Sequence, residues 1–259
     1  MSVDARNTST VPVEVEKLTP FFSDERRDLV FLMRQAEAAE RFEDMAAFAR
    51  RLVRLAQGLL TREERNLFAI AHKHLVVAKR AAVRTLVYHT NNAKLNLGYK
   101  HLVELDVREF CKGLIAYVTE NILSLANDKA ENKVFFLKLV GDHYRYLAEL
   151  DITPDGDYGK VAHDYYREAA AIAEAQLPAT DPTRLGLMLN FSVLLYEHSR
   201  EVKQACDMAK GAFDKAINRL DELDEEDYKD ATLVMQLMRD NLALWVTLQQ
   251  GGAQQQPQH

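Results

Sequence analysis

Apolar residues recur along this chain at the three- and four-residue steps that place them on one face of a helix. Leu189 and Val193 share such a face with Asn190 and Glu197, and Leu233, Leu237 and Leu244 share another with Asn241. No segment alternates β-branched and polar residues in the manner of a strand, and no Asn-Gly pair marks a hairpin. The long interval from Pro20 to Pro154 holds no proline and is filled with Ala, Leu, Glu, Lys and Arg, all compatible with helix interiors. The pattern predicts an all-α protein.

Start and stop signals divide the helices. Ser23 and Asp24 open a first helix over 24–39, and a second over 42–57 stops near Gly58. Thr61 with Glu64 forms a capping box for a third over 62–89, and Thr90-Asn91-Asn92 reads as the loop that follows. A fourth helix is expected over 98–126, a fifth over 129–150 closed by Thr153-Pro154-Asp155-Gly156, and a sixth over 157–176. Asp181-Pro182 supplies an N-cap and an N1 proline for the seventh, and the eighth covers 201–220. The acids Asp224 to Asp227 open a ninth that runs to Trp245. Short connections imply nine antiparallel helices in a single domain over 23–248. Residues 1–22 and the Gln-rich tail 249–259 lack helical periodicity and are expected to be disordered.

Charge and cysteine content narrow the function. A net charge of -6 on 259 residues argues against a general nucleic-acid binder, so any anion site must be a local basic patch. Cys111 and Cys206 make no disulfide framework and read as reduced thiols. The first residues carry Asp4, Glu14 and Glu16 with no apolar core of a signal peptide, and no uncharged run reaches membrane-spanning length. The expectation is a cytoplasmic protein without a membrane segment.

The chemistry concentrates in Gly141 to Glu149. Arg145 and Tyr146 stand side by side on a helix that carries Lys138, and a guanidinium fork with a phenol can hold one dianionic group. Enclosing that group needs a second basic helix. Lys73, Arg80 and Arg84 provide one, falling within an arc of about 40°. Asp142 and Glu149 are placed to orient the arginines without cancelling them. Asn190 and Asn241 each interrupt an apolar face with an amide, a donor and acceptor suited to an extended peptide backbone. A cationic trio taken alone is ordinarily a solvated face, and leucine stripes or a lone Trp245 are ordinarily core. His72 and His74 point to different sides of a helix, and no metal site is read. Neither a nucleophile-base-orienter set nor a Gly-rich phosphate loop is present, so no enzyme or cofactor is expected.

Several longer motifs, in order, carry a resemblance. They are Ala39-Glu40-Arg41-Phe42-Glu43-Asp44-Met45-Ala46, Glu63 to Leu67, Lys133 to Lys138, Gly141 to Glu149, Arg184 to Val193, and Tyr228 through Asn241 to Trp245. From about residue 24 to 248 the chain resembles a divergent 14-3-3 protein. That resemblance implies an amphipathic groove binding phosphoserine or phosphothreonine peptides of client proteins. Arg80, Arg145 and Tyr146 would hold the phosphate, with Lys73 at its edge, Lys138 flanking and Arg84 orienting Arg80 or adding positive field. Asn190 and Asn241 would grip the ligand backbone, and Leu189, Val193, Leu233, Val234 and Leu237 would form the apolar wall. Glu197 and Trp245 would hydrogen-bond near the peptide. The alternative is a helical scaffold that binds partners independently of phosphorylation.

The chain departs from the family pattern in places. Val140 replaces a lysine, His143 stands where an aromatic ring is usual, and the connection around 126–130 looks shorter. The resemblance also implies a homo- or heterodimer, with Ala39, Arg41, Asp44, Ala82 and Leu86 at interface positions. Ala82 and Val83 replace a Ser-Trp pair, and the helix around Val107 to Leu114 lacks evident charged partners for Arg41 and Asp44. Weakened pairing through apolar contacts such as Leu86, Val107 and Leu114 is therefore expected. In the amino-terminal stretch, Ser9 and Thr10 follow Arg6 and precede Pro12, a pattern similar to the family's own ligands. Their phosphorylation would make the tail a self-ligand.

Overall fold

The computed structural model describes residues 12–87, 93–125, 129–150 and 156–253. Ser9 and Thr10, the 90–92 loop and most of the turn at 153–156 lie outside the described residues. Among the described residues there are nine α-helices and no strand, so the protein is all-α. They form two compact units, Met1–Phe110 with Thr119–Leu125, and Cys111–Val118 with Ala126–His259.

The first unit contains α1 (Glu25–Ala38), α2 (Phe42–Leu55), α3 (Arg62–Val87) and the beginning of α4 (Ala93–Val118). Asp24 caps α1 by accepting the Arg27 N–H at 3.2 Å, while Asp28 in the first turn reaches back to the N–H groups of Ser23 and Asp24. The capping box of α3 forms in both directions. Thr61 Oγ1 accepts the Glu64 N–H at 3.3 Å, and Glu64 accepts the Thr61 N–H at 2.8 Å. Glu64 also receives the Arg26 fork through two bonds of 2.6 Å, which ties α1 to α3. The core of this unit is Leu29, Met33, Met45, Phe48, Leu52 and Phe68. Gly58 closes α2 with φ +76°, and a Cβ there would lie 2.8 Å from the Asn121 carbonyl oxygen, so both conformation and space require glycine. Ahead of α1, 3-10 turns cover Val15–Lys17 and Thr19–Phe21, with Val15 buried.

The second unit contains α5 (Ala130–Ala148), α6 (Tyr158–Gln176), α7 (Pro182–Glu197), α8 (Val202–Ile217) and α9 (Glu225–Ala253), with the end of α4. Helix α7 packs against α5, α6, α8 and α9. It is accordingly apolar on several sides, with Leu185, Leu187, Met188, Leu189, Phe191, Leu194 and Leu195 all buried. Ser192 is buried among them and satisfies its hydroxyl on the Leu189 carbonyl at 2.7 Å. Gly141 of α5 sits against the Tyr166 ring of α6, a close approach of the two helices, and Ala162, Ala169 and Ala173 of α6 are buried.

Several boundaries differ from expectation; α4 ends at Val118 and is followed by a π-helical turn over Thr119–Leu123 rather than running to 126. Helix α4 begins at Ala93 rather than near 98, with Gly98 inside it facing open space. Helix α9 continues to Ala253, beyond Trp245. Among the described residues no helix is long and apolar enough to cross a membrane, and no group of three His, Cys, Asp or Glu could hold a metal ion. Cys111 and Cys206 are free thiols.

Candidate functional site

A buried carboxylate organises the chemistry of the second unit. Asp142, on α5, accepts the Tyr166 hydroxyl at 2.5 Å and an Asn190 amide N–H at 2.7 Å on Oδ1, and the Lys138 ammonium at 2.8 Å on Oδ2. The i, i+4 spacing of Lys138 and Asp142 permits their bond within one helix. Tyr166 arrives from α6 and Asn190 from α7. Burial alone would raise the Asp142 pKa, but the charges of Lys138 and Arg145 and the hydrogen bonds it receives hold it below the usual aspartate range.

Arg145 follows one turn after Asp142 on α5. Its guanidinium carbon lies 4.8 Å from the centre of the Tyr146 ring, its Nε donates to the Tyr166 oxygen at 3.4 Å, and Nη1 donates to Glu149 at 3.2 Å. Only 12% of its side chain is exposed. Burial opposes its charge, yet Tyr166, Asp142 and Tyr146 more than offset that effect and raise its pKa. The result is a desolvated, permanently charged fork beside a phenol. His143 packs edge-on against Tyr146 with centroids 5.4 Å apart, and its Nδ1 lies 2.7 Å from the Leu139 carbonyl. Burial lowers the His143 pKa, so the ring is neutral near neutral pH.

The structure therefore brings together Lys138, Arg145, Tyr146 and Asn190. Asp142, expected to orient the arginines, receives its hydrogen bonds instead from Lys138, Tyr166 and Asn190. Tyr166 is the member that sequence reasoning missed. It lies 24 positions from Asp142 on another helix, and nothing in the Tyr165-Tyr166 pair tells which ring faces inward.

Of the other residues expected at a peptide site, Leu189 is buried, Val193, Val234 and Asn241 are half-buried and Glu197 is exposed. On α9, Leu233, Leu237 and Leu244 recur at helical spacing and are exposed, an apolar stripe of the kind that marks an interaction surface. Trp245 is buried and stacks on Tyr196 of α7, with centroids 4.6 Å apart and planes 11° from parallel. Lys73, Arg80 and Arg84 belong to α3 of the first unit, where Lys73 and Arg84 are exposed and Arg80 is half-buried.

Of the positions expected at a dimer interface, Ala39, Arg41 and Ala82 are exposed and Leu86 is half-buried. Asp44 is buried, ion-paired with Arg41 and bonded to the Val13 N–H at 2.8 Å, so this acid is satisfied inside its own chain. Val107 and Leu114 are likewise buried within the chain, which removes them from any exposed contact surface. The exposed apolar residues of α4 are instead Leu95, Leu97, Tyr99 and Leu102.

The 14-3-3 protein family model matches residues 32–246. The chain is 42% identical over 238 residues to 14-3-3 protein beta/alpha-1 of Oncorhynchus mykiss, covering 88% of this chain and 96% of that relative. It is 41% identical over 240 residues to a 14-3-3-like protein of Helianthus annuus, covering 87% and 91% respectively. Its identity to the checkpoint signal transducer rad25 of Schizosaccharomyces pombe is 40% over 238 residues, covering 87% and 89%. With the family's motifs in order along an all-α chain, this protein belongs to the 14-3-3 family.

Proposed function

We propose that this chain is an adaptor that binds phosphoserine or phosphothreonine segments of client proteins. The observation that carries the reading is Arg145, a nearly buried guanidinium kept charged and laid against Tyr146. Desolvating a cation is costly unless an anion or a polar network compensates, and a fork presented beside a phenolic hydroxyl suits a tetrahedral dianion. A phosphate carries about -1.5 to -2 charges, so such a site favours it over a neutral hydroxyl.

In this reading Arg145 and Tyr146 hold the phosphate with Lys138 beside them, and Arg80, Lys73 and Arg84 of the first unit take the phosphate-binding roles that the family resemblance implies. Asn190, fixed through one N–H on Asp142, offers its second N–H and its carbonyl to the ligand backbone, as does Asn241. Leu189, Val193, Leu233, Val234 and Leu237 receive apolar side chains, with Glu197 and Trp245 at the far end. The activity is binding, with no chemical step. The protein acts in the cytoplasm and pairs with a second 14-3-3 chain, its own copy or another, through the exposed apolar face of α4 together with Ala39, Arg41, Ala82 and Leu86.

The test is a titration with an Arg-Ser-x-pSer-x-Pro peptide and its unphosphorylated twin, against the protein and its Arg80→Ala/Arg145→Ala variant. Micromolar or tighter binding of the phosphopeptide alone, lost in the variant, supports the adaptor. Equal binding of both peptides would replace it with a phosphorylation-independent scaffold, for which the α9 leucine stripe would be the docking surface.

A further inference from the structure

In the reading above, phosphate and peptide backbone are held by different side chains, and one buried carboxylate touches both sets. A carboxylate only accepts hydrogen bonds, so the single Tyr166 proton is committed to Asp142 at 2.5 Å. That commitment turns the lone pairs of the phenol toward Arg145, whose Nε donates at 3.4 Å. The same Asp142 oxygen fixes the Asn190 amide at 2.7 Å, so the direction in which Asn190 offers its other groups is set by Asp142. Tyr166 has no exposed surface, and its ring lies against Gly141, so the hydroxyl cannot swing away. Its position is determined by the packing of α5 on α6.

We propose that Tyr166 is a positioning residue that couples Arg145 to Asn190 through Asp142, so that phosphate recognition and backbone recognition behave as one unit. The inference rests on the phosphopeptide reading of this site. Replacing the hydroxyl with hydrogen leaves the ring in place, removes the acceptor for Arg145 and removes one of the donors that fix Asp142. Arg145 and Asn190 then lose their mutual alignment although neither has been altered.

A double-mutant cycle on the full chain tests this, using the phosphoserine peptide and its unphosphorylated twin. Tyr166→Phe is expected to weaken phosphopeptide binding about three- to tenfold, the equivalent of one hydrogen bond, with helical content unchanged at the assay temperature. Combined with Asn190→Ala, the loss should fall short of the product of the single losses by about threefold or more. Combined with Asn241→Ala, which Asp142 does not touch, the losses should simply multiply. Asp142→Asn provides a second background in which Asn190→Ala should again cost less than in the wild type. Unchanged affinity in Tyr166→Phe, or equal multiplication with both asparagines, overturns the coupling while leaving the adaptor reading intact. A wild-type protein that does not distinguish the two peptides removes the adaptor reading and the coupling with it.

Discussion

A Cβ atom placed on Gly141 would stand 2.8 Å from the Cδ1 and Cε1 atoms of the Tyr166 ring. The ring is fully buried, so it cannot move aside into solvent. Gly141→Ala would gain up to about 1 kcal/mol of helix propensity. Overpacking a fixed ring typically costs about 1–3 kcal/mol, and here it would also displace the hydroxyl that meets Asp142 and Arg145. The expected outcome is net destabilisation with weakened phosphopeptide binding. Urea unfolding and peptide titration on the same preparation check it, and a more stable variant with unchanged affinity would contradict the packing argument.

Gly211 on α8 presents the opposite case. No atom lies within 4 Å of a Cβ added there, and its backbone is ordinary helix. Gly211→Ala should therefore stabilise the protein by about 0.4–1 kcal/mol, chiefly by narrowing the unfolded ensemble. Thermal unfolding would show a raised midpoint, and phosphopeptide affinity should not change.

His143 predicts a pH dependence of stability whose sign follows from burial. An ordinary imidazole titrates near ~6.5, and burial lowers that value in the folded chain. Between the two values only the unfolded chain takes up the proton, so stability falls as pH drops below the unfolded value. A single proton contributes at most about 1.4 kcal/mol per pH unit. Asp142 acts in a lower window. Its depressed pKa gives a contribution that is present above the ordinary aspartate value and lost as pH falls through the folded one. His143→Phe should flatten the first decline and leave the second. Urea midpoints measured at steps from pH 7 to below pH 4 would separate them, and parallel curves for both proteins would refute the assignment.

Pairing with a second chain should depend on α4. Leu95, Tyr99 and Leu102 are separated by one and two helical turns and are 69%, 57% and 63% exposed in the single chain. Leu102→Glu places a charge in that stripe and should shift sedimentation toward the monomer without altering helical content. A wild-type protein that sediments as a monomer at all concentrations tested would dispose of the dimer proposal.

Local signals were legible in the sequence because capping is local chemistry. The Thr61/Glu64 box and the Asp181 cap, which accepts the Arg184 N–H at 2.9 Å, formed where their spacing indicated. The beginning of α4 was not legible, since Gly98 has the form of a helix boundary yet lies within the helix. Arg145, Tyr146 and Lys138 could be placed together because one helix carries all three. Tyr166 could not, because its partnership with Asp142 is created by the packing of α5 on α6, and tertiary contact leaves no periodicity to read. Asp44 shows the same limit. Its bond to the Val13 amide, 31 positions away, is a tertiary contact that no periodicity announces.

The bond between the Val13 amide and buried Asp44 also acts as a leash. It ties Val13, and through it the Val15–Lys17 turn that packs on α2, to a carboxylate inside the same chain, so loss of the Asp44 side chain would loosen this segment.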